Sequence, residues 1–281
     1  MLEKPTTADE YSISHVSLVK KVCLYLATKL GDYIDNVVVV GGLVPYLLID
    51  QENLPEGTSE HVGTIDLDLG LALAILDDHR YQAITTRLRQ AGFKQDVNEL
   101  GNPTRQRWKV ECPEKVTVDF LIPPLSSKDE GGKIRDIEPD FAAVITPGLR
   151  FAFQDKINIE LEGETIFGEK TKRNIWVCGP GAFVILKALA FRKRGENKDA
   201  YDLYYVIRNY GKSVEQVAKA LKPFLQEREG KECLEILNAD FTLHQGPGPI
   251  RVAQFLIGGS NDIIQADVVG FISLLMKSCK Q

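Results

Sequence analysis

Apolar residues recur at helical spacing over residues 12–30, where Ile13, Val16, Val19, Val22, Cys23 and Leu26 line one face and Gly31 ends the run. Val37–Val40 is an unbroken run of β-branched residues and predicts a buried strand. Gly41-Gly42 breaks that run, 43–49 reads as a short apolar helix, and the polar, turn-rich 50–63 as a loop. A strand over 64–73 and a helix over 77–91 follow, then strands over 105–110 and 116–122 joined by a turn around Pro113. Residues 123–139 are rich in Pro, Gly, Ser and charge, which predicts a loop or linker. A hairpin around Gly163 is expected from 157–162 and 165–168. Helices are expected from Pro180 to about Arg194, and over 198–210, 213–222, 227–238, 249–258 and 262–278. The pattern predicts an α/β (α+β) fold, with a mixed sheet flanked by helices in residues 1–125 and a mainly helical part over 126–281.

Strand side chains alternate, so Asp66 and Asp68 in Thr64-Ile-Asp-Leu-Asp-Leu69 share one face while Ile65, Leu67 and Leu69 share the apolar one. Two carboxylates side by side repel unless a cation lies between them. Mg²⁺ is the natural choice, since it takes oxygen ligands and bridges carboxylates to substrate phosphates. The later strand 116–122 carries a single carboxylate, Asp119, in an otherwise apolar run. If it lies beside the Asp-x-Asp strand, three carboxylates converge, an arrangement suited to two-metal chemistry. The bland alternative for an Asp-x-Asp strand is a solvated face.

Gly41-Gly42 follows a buried strand and precedes a helix, so the backbone there can approach a phosphate closely. A tight strand-to-helix turn without a ligand is the alternative. The pattern is neither a P-loop nor a dinucleotide fingerprint, because the required Gly-Lys-Ser/Thr and third glycine are missing. Arg105, Arg107 and Lys109 alternate along one strand and would share a face, as a track for phosphates or as an ordinary solvated surface. Arg192, Lys193, Arg194 and Lys198 form a second basic group with the same two readings. Tyr201, Tyr204, Tyr205 and Tyr210 could stack on bases, although such a stripe more often packs in a core.

Composition narrows these options. The 281 residues carry a formal net charge of −5, so the global basic field of a dedicated nucleic-acid binder is absent. Five scattered cysteines without ligand spacing predict free thiols in a reducing compartment. No apolar signal core or membrane-length run occurs, so a cytoplasmic protein with no membrane partner is expected. His15, His61, His79 and His244 are dispersed and predict no zinc site; His61, in the loop before the Asp-x-Asp strand, could border the site.

Strand, Gly-Gly, helix, loop, Asp-x-Asp strand and a later strand Asp together resemble the nucleotidyltransferase superfamily of the DNA polymerase β type. Phe183-Val-Ile-Leu-Lys-Ala-Leu-Ala-Phe-Arg192, followed by Lys198-Asp-Ala-Tyr-Asp-Leu-Tyr-Tyr205, resembles the C-terminal signature of AbiEii-type nucleotidyltransferases, the toxin partners of abortive-infection and type IV toxin–antitoxin systems. The resemblance implies metal ligation by Asp66, Asp68 and Asp119. It also implies nucleotide contacts from Gly41, Gly42, Thr64, Lys187 and Arg192, and a supporting acid at Asp202, with Asp199 the alternative. Asp119 would also help deprotonate the acceptor hydroxyl. The loop from Gly42 to Asp66, with Pro55 and Gly57, is longer than the superfamily's, and the tail after Asn209 has no evident counterpart.

On a helix from Pro180, Arg192 points about 140° away from Lys187. A Lys187–Asp202 pair between consecutive helices is expected, either as a site feature or as a structural ion pair. The implied activity is Mg²⁺-dependent transfer of a nucleoside monophosphate from a nucleoside triphosphate to an RNA, tRNA among them, or a protein acceptor. The helical part would close the pocket, and a cognate antitoxin protein is the implied partner. Two rivals stay open: a non-catalytic binding module on the same fold, and small-molecule transfer of the antibiotic-modifying kind.

Overall fold

Four consecutive valines form β1 (Val37–Val40), buried along its whole length as a run of β-branched residues demands. In the computed structural model, residues 5–55, 57–71, 78–98, 100–112 and 115–280 are described, without the side chains of Ile13 and 78–80. The turn expected around Pro113, the strand beyond residue 71, the start of the helix at 77 and the His79 side chain lie outside the described residues.

α1 (Ile13–Leu30) precedes β1, and α2 (Val44–Leu48) follows the glycine pair. Then come β2 (Asp66–Leu71), α3 (Asp78–Gln90), β3 (Lys94–Val97), β4 (Pro103–Val110) and β5 (Val116–Ile122). β6 (Ile134–Glu138), β7 (Phe141–Ile145), α4 (Leu149–Gln154), β8 (Lys156–Glu164) and β9 (Lys170–Cys178) complete the strand-rich part. The rest is helical: α5 (Pro180–Arg194), α6 (Asn197–Asn209), α7 (Val214–Leu221), α8 (Arg228–Phe241), α9 (Pro247–Ile257) and α10 (Asp262–Lys280). Together they make an α/β fold with a mixed sheet ordered β3-β4-β5-β2-β1-β9-β8, to which β7 adds along β5 and β6 along β7.

β2 runs antiparallel to β1 and parallel to β5. The parallel pair needs a crossover, and the chain between β2 and β5 includes α3. Trp108 of β4 and Phe120 of β5 both pack on Phe141 of β7 in the core.

Beyond β3, β7 and α4, which form where the sequence pattern predicts no element, two stretches depart from that pattern. β6 lies inside the polar segment 123–139: among the described residues it pairs with the buried β7 alone, as an edge strand, and an edge strand with one solvated side tolerates charge. In the hairpin of β8 and β9, residues 165–168 form the turn instead of a strand, closed by Thr165 N–H donating to the Glu169 carbonyl. The strand begins at Lys170, where Lys170, Lys172 and Arg173 mask the apolar alternation.

The chain forms two compact units. The first comprises Ile13–Val44 and Gly63–Cys178, so β6–β9, beyond residue 125, belong to it. The second comprises the segment ending at Ser12, Pro45–Val62 and the chain from Gly179 onward, with Ile185, Leu203, Ile236, Phe255 and Ile272 in its core. Among the described residues, no helix is long and apolar enough to cross a membrane.

Candidate functional site

In the first unit, β2 and β5 pair in a register that sets Asp68 beside Asp119 and Asp66 beside Thr117. Alternation sends Leu67, Leu69, Val118 and Phe120 into the core, and Asp66, Asp68 and Asp119 to the other face, where they are half-buried. One carboxylate oxygen from each of the three lies within 4.8 Å of the others. At that spacing in a half-buried setting, three negative charges repel strongly unless cations balance them.

The neighbours orient these carboxylates. The buried Thr64 hydroxyl donates to Asp66 Oδ1 at 2.8 Å. Gly41 leaves β1 with φ +73°, and a Cβ placed there would lie 2.0 Å from Asp68 Oδ2. The position therefore needs glycine twice over, for its backbone conformation and for the space beside Asp68. Gly42, next in the chain, is buried.

β4 pairs antiparallel with β5 and sets Arg107 opposite Asp119. Its Nε donates to Asp119 Oδ1 at 2.7 Å and its Nη2 to Oδ2 at 2.5 Å, a fork matched to the carboxylate plane. The hydrogen-bonded Asp119 pushes the guanidinium pKa up, against the effect of burial, and the charges of Asp66 and Asp68 add to this. Strand alternation puts Arg107 on a cationic face without tying it to Asp119. The signal was present, because residues 107 and 119 are equidistant from 113, the centre of the expected turn. The rest of that face is matched by acids too: Arg105 pairs with Asp136 at 3.0 Å and Lys109 with Asp96 at 3.6 Å.

In the second unit, the expected Lys187–Asp202 pair forms at 2.7 Å. Lys187 also lies 3.0 Å from Asp199, so both candidate acids contact it. Lys198 and His61 both reach Asp202 Oδ1, at 2.7 and 2.9 Å, and Arg194 donates to Asp199 at 2.7 Å. Burial would raise the Asp202 pKa, but Lys187, Lys198 and the His61 hydrogen bond outweigh it and hold the carboxyl well below its usual range. Burial likewise works against charge on Lys187, and Asp202 and Asp199 reverse this, pushing its pKa up. Lys198 goes down instead, burial outweighing its carboxylates. Burial also drives the His61 ring down to about 4, so it is neutral near pH 7.

Arg194, Lys198 and His61 are the members of this cluster to which the sequence gives no role in the site. Lys198 lies four residues before Asp202 on one helix, a readable spacing, whereas nothing local marks His61. Arg192 stands outside the cluster, paired with Asp240 of α8 at 3.0 Å, as its angle from Lys187 on α5 requires. Tyr201, Tyr204 and Tyr205 are buried and so pack in the core.

An oxygen-only set of three carboxylates, with a glycine holding space beside one of them, fits a hard divalent cation such as Mg²⁺. The family model described as "Nucleotidyl transferase AbiEii toxin, Type IV TA system" matches residues 60–277. The match takes in Asp66, Asp68, Asp119, Lys187, Arg192 and Asp202, begins after Gly41-Gly42, and covers most of the tail after Asn209. No curated protein matches the chain.

Proposed function

Because the chain belongs to the AbiEii family of nucleotidyl transferase toxins of type IV toxin–antitoxin systems, we propose that it moves a nucleoside monophosphate from a nucleoside triphosphate to a hydroxyl of an RNA, tRNA among them, or of a protein. The observation that carries this reading is the in-register trio Asp66, Asp68 and Asp119 on adjacent parallel strands.

Asp66, Asp68 and Asp119 would hold Mg²⁺. When bound there, the cation supplies charge neutralisation for the attacking and leaving oxygens. The chain's own groups do the positioning. Thr64 fixes the rotation of Asp66, and the missing side chain of Gly41 keeps Asp68 in place. Arg107 balances the charge on Asp119 and holds its plane, and Asp119 helps draw the proton from the acceptor hydroxyl. Gly41, Gly42 and Thr64 border the triphosphate in this scheme. Lys187, kept charged by Asp199 and Asp202, is assigned to its phosphates. Arg192 is assigned a phosphate contact as well, for which it must give up Asp240.

As a toxin, the chain is expected to slow growth when expressed alone, with relief from a cognate antitoxin protein. Calorimetric titration with each nucleoside triphosphate, with and without Mg²⁺, tests the site. Mg²⁺-dependent binding of a triphosphate, lost in Asp68→Ala, is expected. Binding indifferent to Mg²⁺ and to Asp68 would refute the assignment.

A further inference from the structure

The buried His61 of the second unit has no part in that scheme, although it touches one of its carboxylates. His61 sits at the end of the segment 45–62, and its side chain and that of Asp202 are both fully buried. We propose that His61 is a positioning residue for nucleotidyl transfer: its Nε2–H fixes one oxygen of Asp202, so that the other oxygen stays on Lys187. The inference rests on the functional reading given above.

Three observations lead to this assignment. First, the two oxygens of Asp202 have different partners. Oδ1 faces His61 and Lys198 at 2.9 and 2.7 Å, and Oδ2 faces Lys187 at 2.7 Å. An ionised carboxylate only accepts, so the imidazole nitrogen facing it must carry the proton.

Second, the ring cannot turn away. It stacks on Tyr201 with centroids 5.2 Å apart and planes 14° apart, and meets Tyr205 edge-on at 4.8 Å. Its backbone N–H donates to Gln51 Oε1 at 2.8 Å. The Tyr205 hydroxyl donates to Gln51 Oε1 and to the Ser59 carbonyl, and Arg208 donates to Thr58. The segment is thus tied to α6 by contacts that do not involve the imidazole.

Third, charge explains why an imidazole serves here. Asp199 and Asp202 already face three cations, Lys187, Lys198 and Arg194. A further ammonium would add uncompensated buried charge. A neutral imidazole adds a donor without a charge, and a stiff one, where lysine stems are flexible. With its Nε2 proton committed to Asp202 and the ring shut off from solvent, His61 orients the pair.

Two substitutions test the proposal. His61→Phe keeps an aromatic ring against Tyr201 and Tyr205 but removes the donor, and His61→Gln returns an N–H at similar reach. Transfer is measured over a range of triphosphate concentrations. His61→Phe is expected to lower turnover about 10- to 100-fold, by analogy with the loss seen when a residue that orients a metal ligand is removed. KM should change less than about threefold, which separates lost positioning from lost ground-state binding. His61→Gln should recover part of the turnover. In wild-type protein labelled at the histidine nitrogens, the His61 ring should carry its proton on Nε2 with Nδ1 bare, unchanged between about pH 5.5 and 7.5, as a ring titrating well below that range requires.

A folded His61→Phe variant with wild-type turnover overturns the inference, and so does a ring protonated at Nδ1 instead. If the Phe variant fails to fold, the Gln variant and the nitrogen spectrum decide. Absence of transfer by the wild-type chain would remove the functional reading itself, a result distinct from normal turnover in the variant.

Discussion

Gly41→Ala puts the architecture of the carboxylate trio to a sharp test. The alanine must adopt φ near +73°, which costs an L-residue about 1–2 kcal/mol. Its Cβ would lie 2.0 Å from Asp68 Oδ2 and 2.8 and 2.9 Å from the Cγ and Cβ of the same residue. Turning the carboxylate relieves only the first of these contacts, because Asp68 Cβ is fixed to β2. Asp68 must therefore leave the trio, and β1 or β2 must give by a few tenths of an ångström. A site with one of three carboxylates displaced should bind Mn²⁺ or Mg²⁺ at least about tenfold more weakly, equivalent to roughly 1.4 kcal/mol. Both tryptophans, Trp108 and Trp176, belong to the first unit. Urea titration followed by tryptophan fluorescence therefore reads the stability cost in the relevant unit, and calorimetry reads the cation. An Ala variant that is 1–2 kcal/mol less stable and also binds the cation weakly is the expected result. Wild-type cation affinity in that variant would refute the reasoning that the space at Gly41 holds Asp68 in place.

Three further outcomes are expected. Lys187→Met takes away the cation shared by two buried carboxylates, leaving Arg194 on Asp199 and Lys198 and His61 on Asp202, and should destabilise the helical unit by about 2–3 kcal/mol, read as a lower urea midpoint in far-ultraviolet circular dichroism; an unchanged midpoint would show that Asp199 and Asp202 do not depend on it. Arg107→Gln removes two charge-assisted hydrogen bonds and should lower the tryptophan-detected stability by about 2 kcal/mol without divalent cation, with part of the loss recovered on adding Mn²⁺. The third concerns pH. The His61 ring titrates at about 4 in the folded chain against 6.5 for a free ring. The unfolded chain therefore binds more protons in that window, and stability falls as pH drops through it, by about 3 kcal/mol at 1.36 kcal/mol per pH unit. His61→Phe should flatten this dependence, and a slope equal to that of the wild type would contradict it.

The sequence carries the carboxylate trio openly because strand alternation is a local rule. Asp66 and Asp68 share a face by spacing alone, and Asp119 stands out in an apolar strand. That β2 and β5 are neighbours, with Asp68 beside Asp119, depends on a parallel crossover that only the assembled sheet decides. The main helices were legible for the same reason as the trio, since their apolar periodicity is strong from Pro180 onward. β3 and β6 escaped notice because edge strands need not alternate, and the charged start of β9 hid its register. Lys187–Asp202 could be anticipated from two consecutive helices, whereas His61 reaches Asp202 across 141 residues of sequence, a distance over which no local pattern speaks. Arg192 illustrates the opposite case: the motif marks it, but the helix turns it toward Asp240.

Whether Asp66, Asp68 and Asp119 carry a cation-dependent nucleotidyl transfer is decided by an assay with α-labelled triphosphates. Each would be incubated with the purified chain and a total RNA and protein extract, with Mg²⁺ or with chelator, beside Asp66→Ala. Label joined covalently to an acceptor is expected only with Mg²⁺, from a preferred triphosphate, and none with Asp66→Ala although that variant folds normally. Equal labelling by Asp66→Ala, or labelling undiminished by chelator, would contradict it.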